Sequence, residues 1–359
     1  MQAAPAHEDL APPPEIDRAR ILRRVAVLVL IALVAFAVID LVPGLASLRS
    51  RFVHANGWWL AAGAALKVLS GVAYVIAFRA IFCRRMRWGV SMQIGFSELG
   101  ANAVLPVGGA GGLALGAWAL RRGGMDTQRI ARRSVAFFFL TSVPNVLGVI
   151  ILGVGLAAGL FAGGVSVALA LVPAVIAAGA VVLTIAGGRW AAAAERRLDA
   201  ASKPRASAVL RALADGVEEA LVMLREADPL LIIGLIGYLV FDVLVIWASF
   251  HALGYVPALA ILWIGYLIGE LGGLIPVPGG VGGIELGLVG AFVLYGVPVG
   301  AATAAVLGYR ALALIVPAVT GLGAFALLRK TLAGEARAIA GCGPGEMVEV
   351  IGRGEVSVS

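Results

Sequence analysis

Charged side chains are scarce in this chain of 359 residues, at 14% of the total, whereas 61% of the residues are hydrophobic. An ordinary soluble domain has about 25% charged residues. So few charges exclude a solvated surface over most of the chain. Apolar stretches longer than the roughly 20 residues that span a bilayer recur instead. The composition therefore predicts an all-α, polytopic integral membrane protein.

Cysteine and histidine are also rare, with two and three residues. Two cysteines exclude a framework of several disulfides, and the distant histidines give no metal-ligand spacing. We find no nucleophilic triad, Walker loop or dinucleotide fingerprint, so we expect neither an enzyme nor a cofactor nor a metal. The net charge of +7 is spread over short clusters between apolar runs, which argues against nucleic acid as a partner.

Six apolar segments are candidate spanning helices. They are Ile21–Val42, Trp58–Phe82, Ser134–Leu160, Ser166–Ala186, Leu230–Leu253 and Gly300–Leu328. We interpret residues 21–330 as a single transporter-like membrane domain, between a disordered tail at 1–20 and a polar tail at 331–359.

Two further apolar segments are each broken by a Pro/Gly run. Ser91–Leu120 contains Pro106-Val107-Gly108-Gly109-Ala110-Gly111-Gly112, and Ala258–Tyr295 contains Pro276-Val277-Pro278-Gly279-Gly280-Val281-Gly282-Gly283. The piece after the first break is too short to cross about 30 Å of hydrocarbon. We therefore predict two re-entrant hairpins, although a pair of full spans would give the same topology.

Most lysines and arginines fall on one side of this topology, which places both termini in the cytoplasm. The polar segment 189–228 is then cytoplasmic. After Pro204, leucines and valines recur at helical spacing, which predicts an amphipathic helix on the membrane surface.

The two broken segments match each other. Glu98-Leu99-Gly100 aligns with Glu270-Leu271-Gly272, and Leu115-Gly116 aligns with Leu286-Gly287. The spans on either side extend the match to a first repeat at 57–160 and a second at 229–328. The repeats enter the membrane from opposite sides, and such inverted repeats are typical of secondary transporters.

Six charged residues lie away from the ends of the predicted membrane segments, where charges are costly and usually functional. Lys67 and Asp242 could pair across the repeat interface, either to fix the packing or to take part in transport. Glu98 and Glu270 could exchange protons or contact a headgroup, with Asn102 sharing the site of Glu98. Alternatively, they are protonated carboxyls bonded to broken-helix backbone.

A half-helix should start after each Pro/Gly break, and its first amides lack an intrahelical partner. Such N-termini attract phosphate or carboxylate, and Arg310 beside Tyr309 could add positive charge. The alternative is that the glycines only allow close helix packing. The candidate substrate- or ion-binding residues are Lys67, Glu98, Asn102, Pro106, Gly108, Gly109, Gly111, Gly112, Asp242, Glu270, Pro278, Gly279, Gly280, Gly282, Gly283, Glu285, Tyr309 and Arg310.

The paired breaks, with Ile284-Glu285 and Tyr309-Arg310, resemble the lysylphosphatidylglycerol synthase transmembrane-region family, also called flippase-like domain proteins. The resemblance covers roughly residues 20–330. It implies a prokaryotic inner-membrane protein linked to moving a lipid between leaflets. The soluble aminoacyl-transferase domain of two-domain relatives is absent, so lysyl transfer is not expected. Residues 137–140 are apolar where many relatives carry an acid, so the lipid is expected to differ.

We therefore hypothesise a flippase for a phosphate-bearing lipid, such as a phospholipid, an aminoacyl-phospholipid or a polyprenyl-phosphate carrier. A secondary transporter for a small anion is one alternative. A membrane scaffold that has a lipid-modifying enzyme as its partner is another.

Overall fold

The computed structural model describes residues 46–104, 110–200, 204–274 and 282–334, and all regular structure within these ranges is helical. The elements in chain order are α1 (Ala46–Val53), α2 (Gly57–Phe82), α3 (Trp88–Val104), α4 (Ala110–Arg122), α5 (Thr127–Ala157), α6 (Val167–Ala200), α7 (Pro204–Glu226), α8 (Pro229–Ala252), α9 (Leu259–Glu270), a 3₁₀ turn (Leu271–Leu274), α10 (Gly283–Leu294) and α11 (Val299–Gly334).

Five of these helices are long and apolar enough to cross a membrane, namely α2, α5, α6, α8 and α11. They correspond to five of the six predicted spans, so the protein is an all-α, multi-pass membrane protein. The sixth prediction, Ile21–Val42, lies outside the described residues. Two helices are longer than predicted, because α5 already begins at Thr127 and α6 continues to Ala200.

The helices on either side of the Pro/Gly breaks are short. α3 has 17 residues, α4 has 13, and α9 and α10 have 12 each. None reaches the roughly 20 residues that span a bilayer when upright. The breaks themselves, 105–109 and 275–281, lie outside the described residues.

The centre of the fold is the contact between α2 and α8, which run antiparallel. The N-terminal half of α2 meets the C-terminal half of α8, where a Cβ on Gly63 would lie 3.5 Å from the Cβ of Ala248. Farther along, a Cβ on Gly234 would lie 2.5 Å from the backbone nitrogen of Ala77. Glycine is therefore required at Gly234, since it lets the two backbones touch.

Each broken segment packs against the long helix that follows the other one. α3 contacts α11, where Gly100 and Gly321 face each other with no side chain between them. α9 contacts α5, where a Cβ on Gly148 would lie 2.9 Å from a methyl group of Leu267. The two halves therefore interlock, and both contribute to one buried centre.

The segment after Pro204 forms the predicted amphipathic helix, α7. This helix packs against α5 and α6. Gly216 lies against Val135, and Glu219 forms ion pairs with Arg132 and Arg133 at 2.7 Å and 2.6 Å. Part of the α7 surface therefore covers other helices of the protein, while Val209, Leu213 and Val222 stay exposed.

Candidate substrate site

Asp242, in the middle of α8, accepts hydrogen bonds from three side chains on two neighbouring helices. Lys67 Nζ lies 2.5 Å from Oδ1, and Ser70 Oγ donates to the same oxygen at 3.1 Å. Tyr266 OH donates to Oδ2 at 3.2 Å. A buried carboxylate is tolerated only with such partners. Asp242 is therefore fully partnered by α2 and α9.

A second ion pair joins α11 to the start of α10. Arg310 Nε donates to Glu285 Oε1 at 2.7 Å, and both side chains are largely buried. Arg310 follows Tyr309, whose hydroxyl lies 3.3 Å from that of Tyr266. The Nη groups of Arg310 have no further partner in the part of the chain that the structure describes. They remain able to bind an anion.

Glu285 also occupies the N-terminus of its own half-helix. Its Oε2 accepts a hydrogen bond from the Gly282 amide at 2.8 Å, as in a capping box. Gly282 has a φ of 107°, which side-chain-bearing residues rarely adopt. A phosphate at this helix end would therefore share its position with the Glu285 carboxylate.

The first broken segment has an equivalent internal contact. Asn102 Oδ1 accepts a hydrogen bond from the Gly112 amide at 2.7 Å, near the start of α4. A Cβ on Gly112 would lie 2.5 Å from the carbonyl oxygen of Glu98. Here the glycine permits close packing of α3 and α4.

Glu98 lies in this helix contact, with 5% of its surface exposed. Tyr74 OH donates to its Oε2 at 2.8 Å. A Cβ on Gly116 would lie only 1.5 Å from its Oε1, so the missing side chain of Gly116 makes room for the carboxyl. No ion pair involves Glu98 in the described ranges.

Glu270, which aligns with Glu98, has a different environment. Four charged groups act on it electrostatically, namely those of Asp242, Arg310, Lys67 and Glu285. Its Oε1 is buried and has no hydrogen-bond partner in the described structure. Lys67, Asp242, Tyr266, Glu270, Glu285, Tyr309 and Arg310 together form what we call the central cluster.

Tyr238 links the central cluster to Glu98. Its ring packs against that of Tyr74 with centroids 5.5 Å apart, and it lies one helical turn before Asp242. Beside it is a small cavity between α2, α3, α8 and α11. The cavity is lined by Lys67, Ser70, Gly71, Phe96, Leu99, Tyr238, Val316, Pro317 and Thr320.

The candidate residues that the structure describes fall into two groups. Six lie in the central cluster, and Gly282 and Gly283 lie at its edge. Glu98, Asn102, Gly111 and Gly112 lie at the contact of α3 with α4. The remaining six lie outside the described residues, namely Pro106, Gly108, Gly109, Pro278, Gly279 and Gly280.

Sequence reasoning missed four hydroxyl-bearing residues that surround the acids, namely Ser70, Tyr74, Tyr238 and Tyr266. A signal was present, because polar residues repeat at a spacing of four in three apolar helices. The pairs are Ser70 with Tyr74, Tyr238 with Asp242, and Tyr266 with Glu270. Residues four apart share one helix face. This pattern marks the buried polar face of each helix.

One family model matches residues 23–321, that of the lysylphosphatidylglycerol synthase TM region. Neither a curated protein nor a solved structure matches the chain.

Proposed function

The chain belongs to the lysylphosphatidylglycerol synthase transmembrane-region family, and we propose that it moves a phosphate-bearing lipid between the leaflets of a prokaryotic inner membrane. The observation that carries the proposal is the central cluster, in which Lys67 of the first half meets six residues of the second half. These residues lie on the spanning helices α2, α8 and α11 and on the short helices α9 and α10. Intramembrane charges of this kind usually mark a transport path.

The packing supports an inverted repeat. The equivalent helices α2 and α8 run antiparallel, as two halves inserted in opposite directions would. In this proposal the short arms of α3–α4 and α9–α10 are re-entrant, and both termini are cytoplasmic.

The anion site in this proposal is formed by side chains more than by helix ends. One amide near the start of each half-helix is already bonded, to Asn102 or to Glu285. Arg310 has unbonded Nη groups, and Lys67 lies on the wall of the cavity. We propose that the headgroup phosphate binds Arg310 first. Lys67 adds positive potential, and the lipid tails stay in the bilayer.

The test is lipid movement in proteoliposomes. Purified protein is reconstituted with fluorescent phospholipids, anionic or zwitterionic, or with a polyprenyl-phosphate probe, and the inner-leaflet pool is measured by quenching from outside. We expect Arg310→Gln to slow transport by about tenfold or more, the loss that one charge-assisted hydrogen bond predicts. Arg329→Gln, a change in the last turns of the same helix, is the matched control and should keep the wild-type rate.

Folded wild-type protein that moves none of these lipids would overturn the proposal. Uptake of a small anion such as phosphate or a carboxylate by the same vesicles would then identify a small-anion transporter. Inactivity in both assays would favour the scaffold hypothesis, in which an enzyme that modifies lipids is the partner.

A further inference from the structure

Glu270 is the acidic residue of the central cluster whose hydrogen bonds are incomplete. Asp242 has three donors, and Glu285 has two. Glu270 Oε1 is buried and accepts no hydrogen bond in the ranges that the structure describes. A buried ionised carboxylate without partners is strongly unfavourable. The geometry therefore makes Glu270, which is partly buried, the carboxyl of the cluster that is most stabilised by a further partner or by loss of its charge.

The surrounding charges leave Glu270 uncompensated. The groups that face it are Lys67 of α2, Tyr238 and Asp242 of α8, Tyr266 of its own helix, Glu285 of α10, and Tyr309 and Arg310 of α11. The two cations are already paired, Lys67 with Asp242 and Arg310 with Glu285. α5 carries no ionisable residue after Arg133. Glu270 would therefore give the cluster a net negative charge if it were ionised.

The partner that Glu270 lacks has to be small. Its Oε1 has less than 1 Å² of accessible surface, so any group that bonds this oxygen in the packed state has to be small. No group of three or more His, Cys, Asp or Glu side chains in the described residues could hold a metal ion. A proton needs neither space nor further ligands.

We propose that Glu270 binds the coupling proton of the transport cycle and that Glu98 does not. The inference rests on the proposed lipid transport and assigns its driving ion to one of the two equivalent carboxyls. Glu98 has a tyrosine donor and no charged partner, and it is enclosed by the α3–α4 contact. Its protonation would not act on either cation of the cluster.

The net charge of the central cluster also determines whether the proton and the anionic lipid move in the same direction or in opposite directions. A protonated Glu270 leaves the cluster neutral, so Arg310 and Lys67 attract a phosphate more strongly than beside an ionised Glu270. Binding of proton and anion is thus mutually favourable, and such coupling is reciprocal. Proton and anionic lipid are therefore expected to move in the same direction.

The experiment measures lipid movement in proteoliposomes under an imposed pH difference, with an anionic fluorescent phospholipid and a pH-sensitive dye inside. For wild type, a difference of one pH unit should shift the distribution of the lipid between the leaflets by up to about tenfold, the factor for one coupled proton.

The Glu270→Gln variant, which mimics the protonated state, should still move lipid, but the lipid distribution should not respond to the pH difference. In the Glu98→Gln variant the lipid distribution should still respond to the pH difference, whether or not the rate of lipid transport changes. Coupling that survives in Glu270→Gln, or that is lost only in Glu98→Gln, would overturn the proposal.

A second measurement tests the proton site at Glu270 independently of any lipid transport. The infrared carbonyl band of protonated carboxyls is titrated with pH in the reconstituted protein. A band that titrates in wild type and in Glu98→Gln, and is missing in Glu270→Gln, supports the proton site even if no lipid moves. A titrating band unchanged by Glu270→Gln refutes the site, even if lipid transport is observed.

Discussion

Lys67 of α2 and Asp242 of α8 lie 2.5 Å apart, 175 residues away from each other in sequence, on opposite sides of the central helix contact. Each side chain is about nine-tenths buried. The pair joins the first half of the protein to the second, and Tyr266 extends it to α9. The ion pair therefore ties the packing of the two halves to the charge balance of the central cluster.

Removing one member of this pair should be far more damaging than removing both. Lys67→Met leaves Asp242 buried without its cation, a change that typically costs about 3–5 kcal/mol. In Lys67→Met/Asp242→Leu no charge is left unpaired, so most of that loss should be recovered. Thermal unfolding of the purified variants in detergent, followed by tryptophan fluorescence, measures the difference. Equal stability of the single and double variants would show that the unpaired Asp242 charge has no energetic cost, which would contradict the prediction.

The glycines at the α3–α4 contact should differ in their tolerance of a methyl group. Gly112→Ala places a Cβ 2.5 Å from the backbone oxygen of Glu98, which cannot move without shifting a helix. We expect a loss of about 1–3 kcal/mol, as for other overpacked sites. Gly116→Ala collides with the Glu98 carboxyl instead, and Glu98→Ala in the same chain should relieve it.

Gly290→Ala is the matched control for both glycine variants, because a Cβ there meets no atom within 4 Å. It should unfold at the wild-type temperature or slightly above, since alanine favours helix. If Gly112→Ala is as stable as Gly290→Ala, then α3 and α4 do not pack as closely at Gly112 as the structure shows.

The positions of the apolar helices were largely predictable from sequence because they depend on local composition, although α5 and α6 are longer than predicted. Five spans were found this way, and both broken segments end within a few residues of the predicted positions. The contacts of each side chain were harder to predict from sequence, because they depend on how the helices are rotated about their axes when they pack. Asn102 was assigned to the Glu98 site, but its bond to the Gly112 amide requires the fold of the hairpin.

Glu285 illustrates the same limit. Its position after the Gly-rich run suggested a binding residue, and it does lie beside Arg310. The sequence could not show that its second oxygen caps α10.

The equivalence of Glu98 and Glu270 was visible in the alignment of the repeats. Their surroundings differ because Arg310 and Lys67 act on Glu270 and not on Glu98, which the sequence could not show.

Docking of α7 on α5 should depend on Glu219, which pairs with two arginines, Arg132 and Arg133. These bridges are partly exposed, so each contributes about 0.2–1 kcal/mol. Glu219→Ala should therefore raise the rate of limited proteolysis within 189–228 by about two- to tenfold, because cleavage follows local opening. Glu218→Ala, an exposed neighbour, is the control. Equal cleavage of both variants would show that the ion pairs do not hold the helix in place.

The proposed inversion of the two halves predicts that their hairpins are reached from opposite sides of the membrane. Arginines surround the first hairpin, whereas residues 229–309 contain no lysine or arginine, so the second should open to the outside. Val256, before α9, is 45% exposed, and Gln128, after α4, is also exposed. A membrane-impermeant maleimide should label Val256→Cys in intact cells and Gln128→Cys only after permeabilisation, with wild type as the blank for the native cysteines. Labelling of both from the same side would rule out inverted repeats, and with them the alternating exposure of the central cluster that the transport proposal requires.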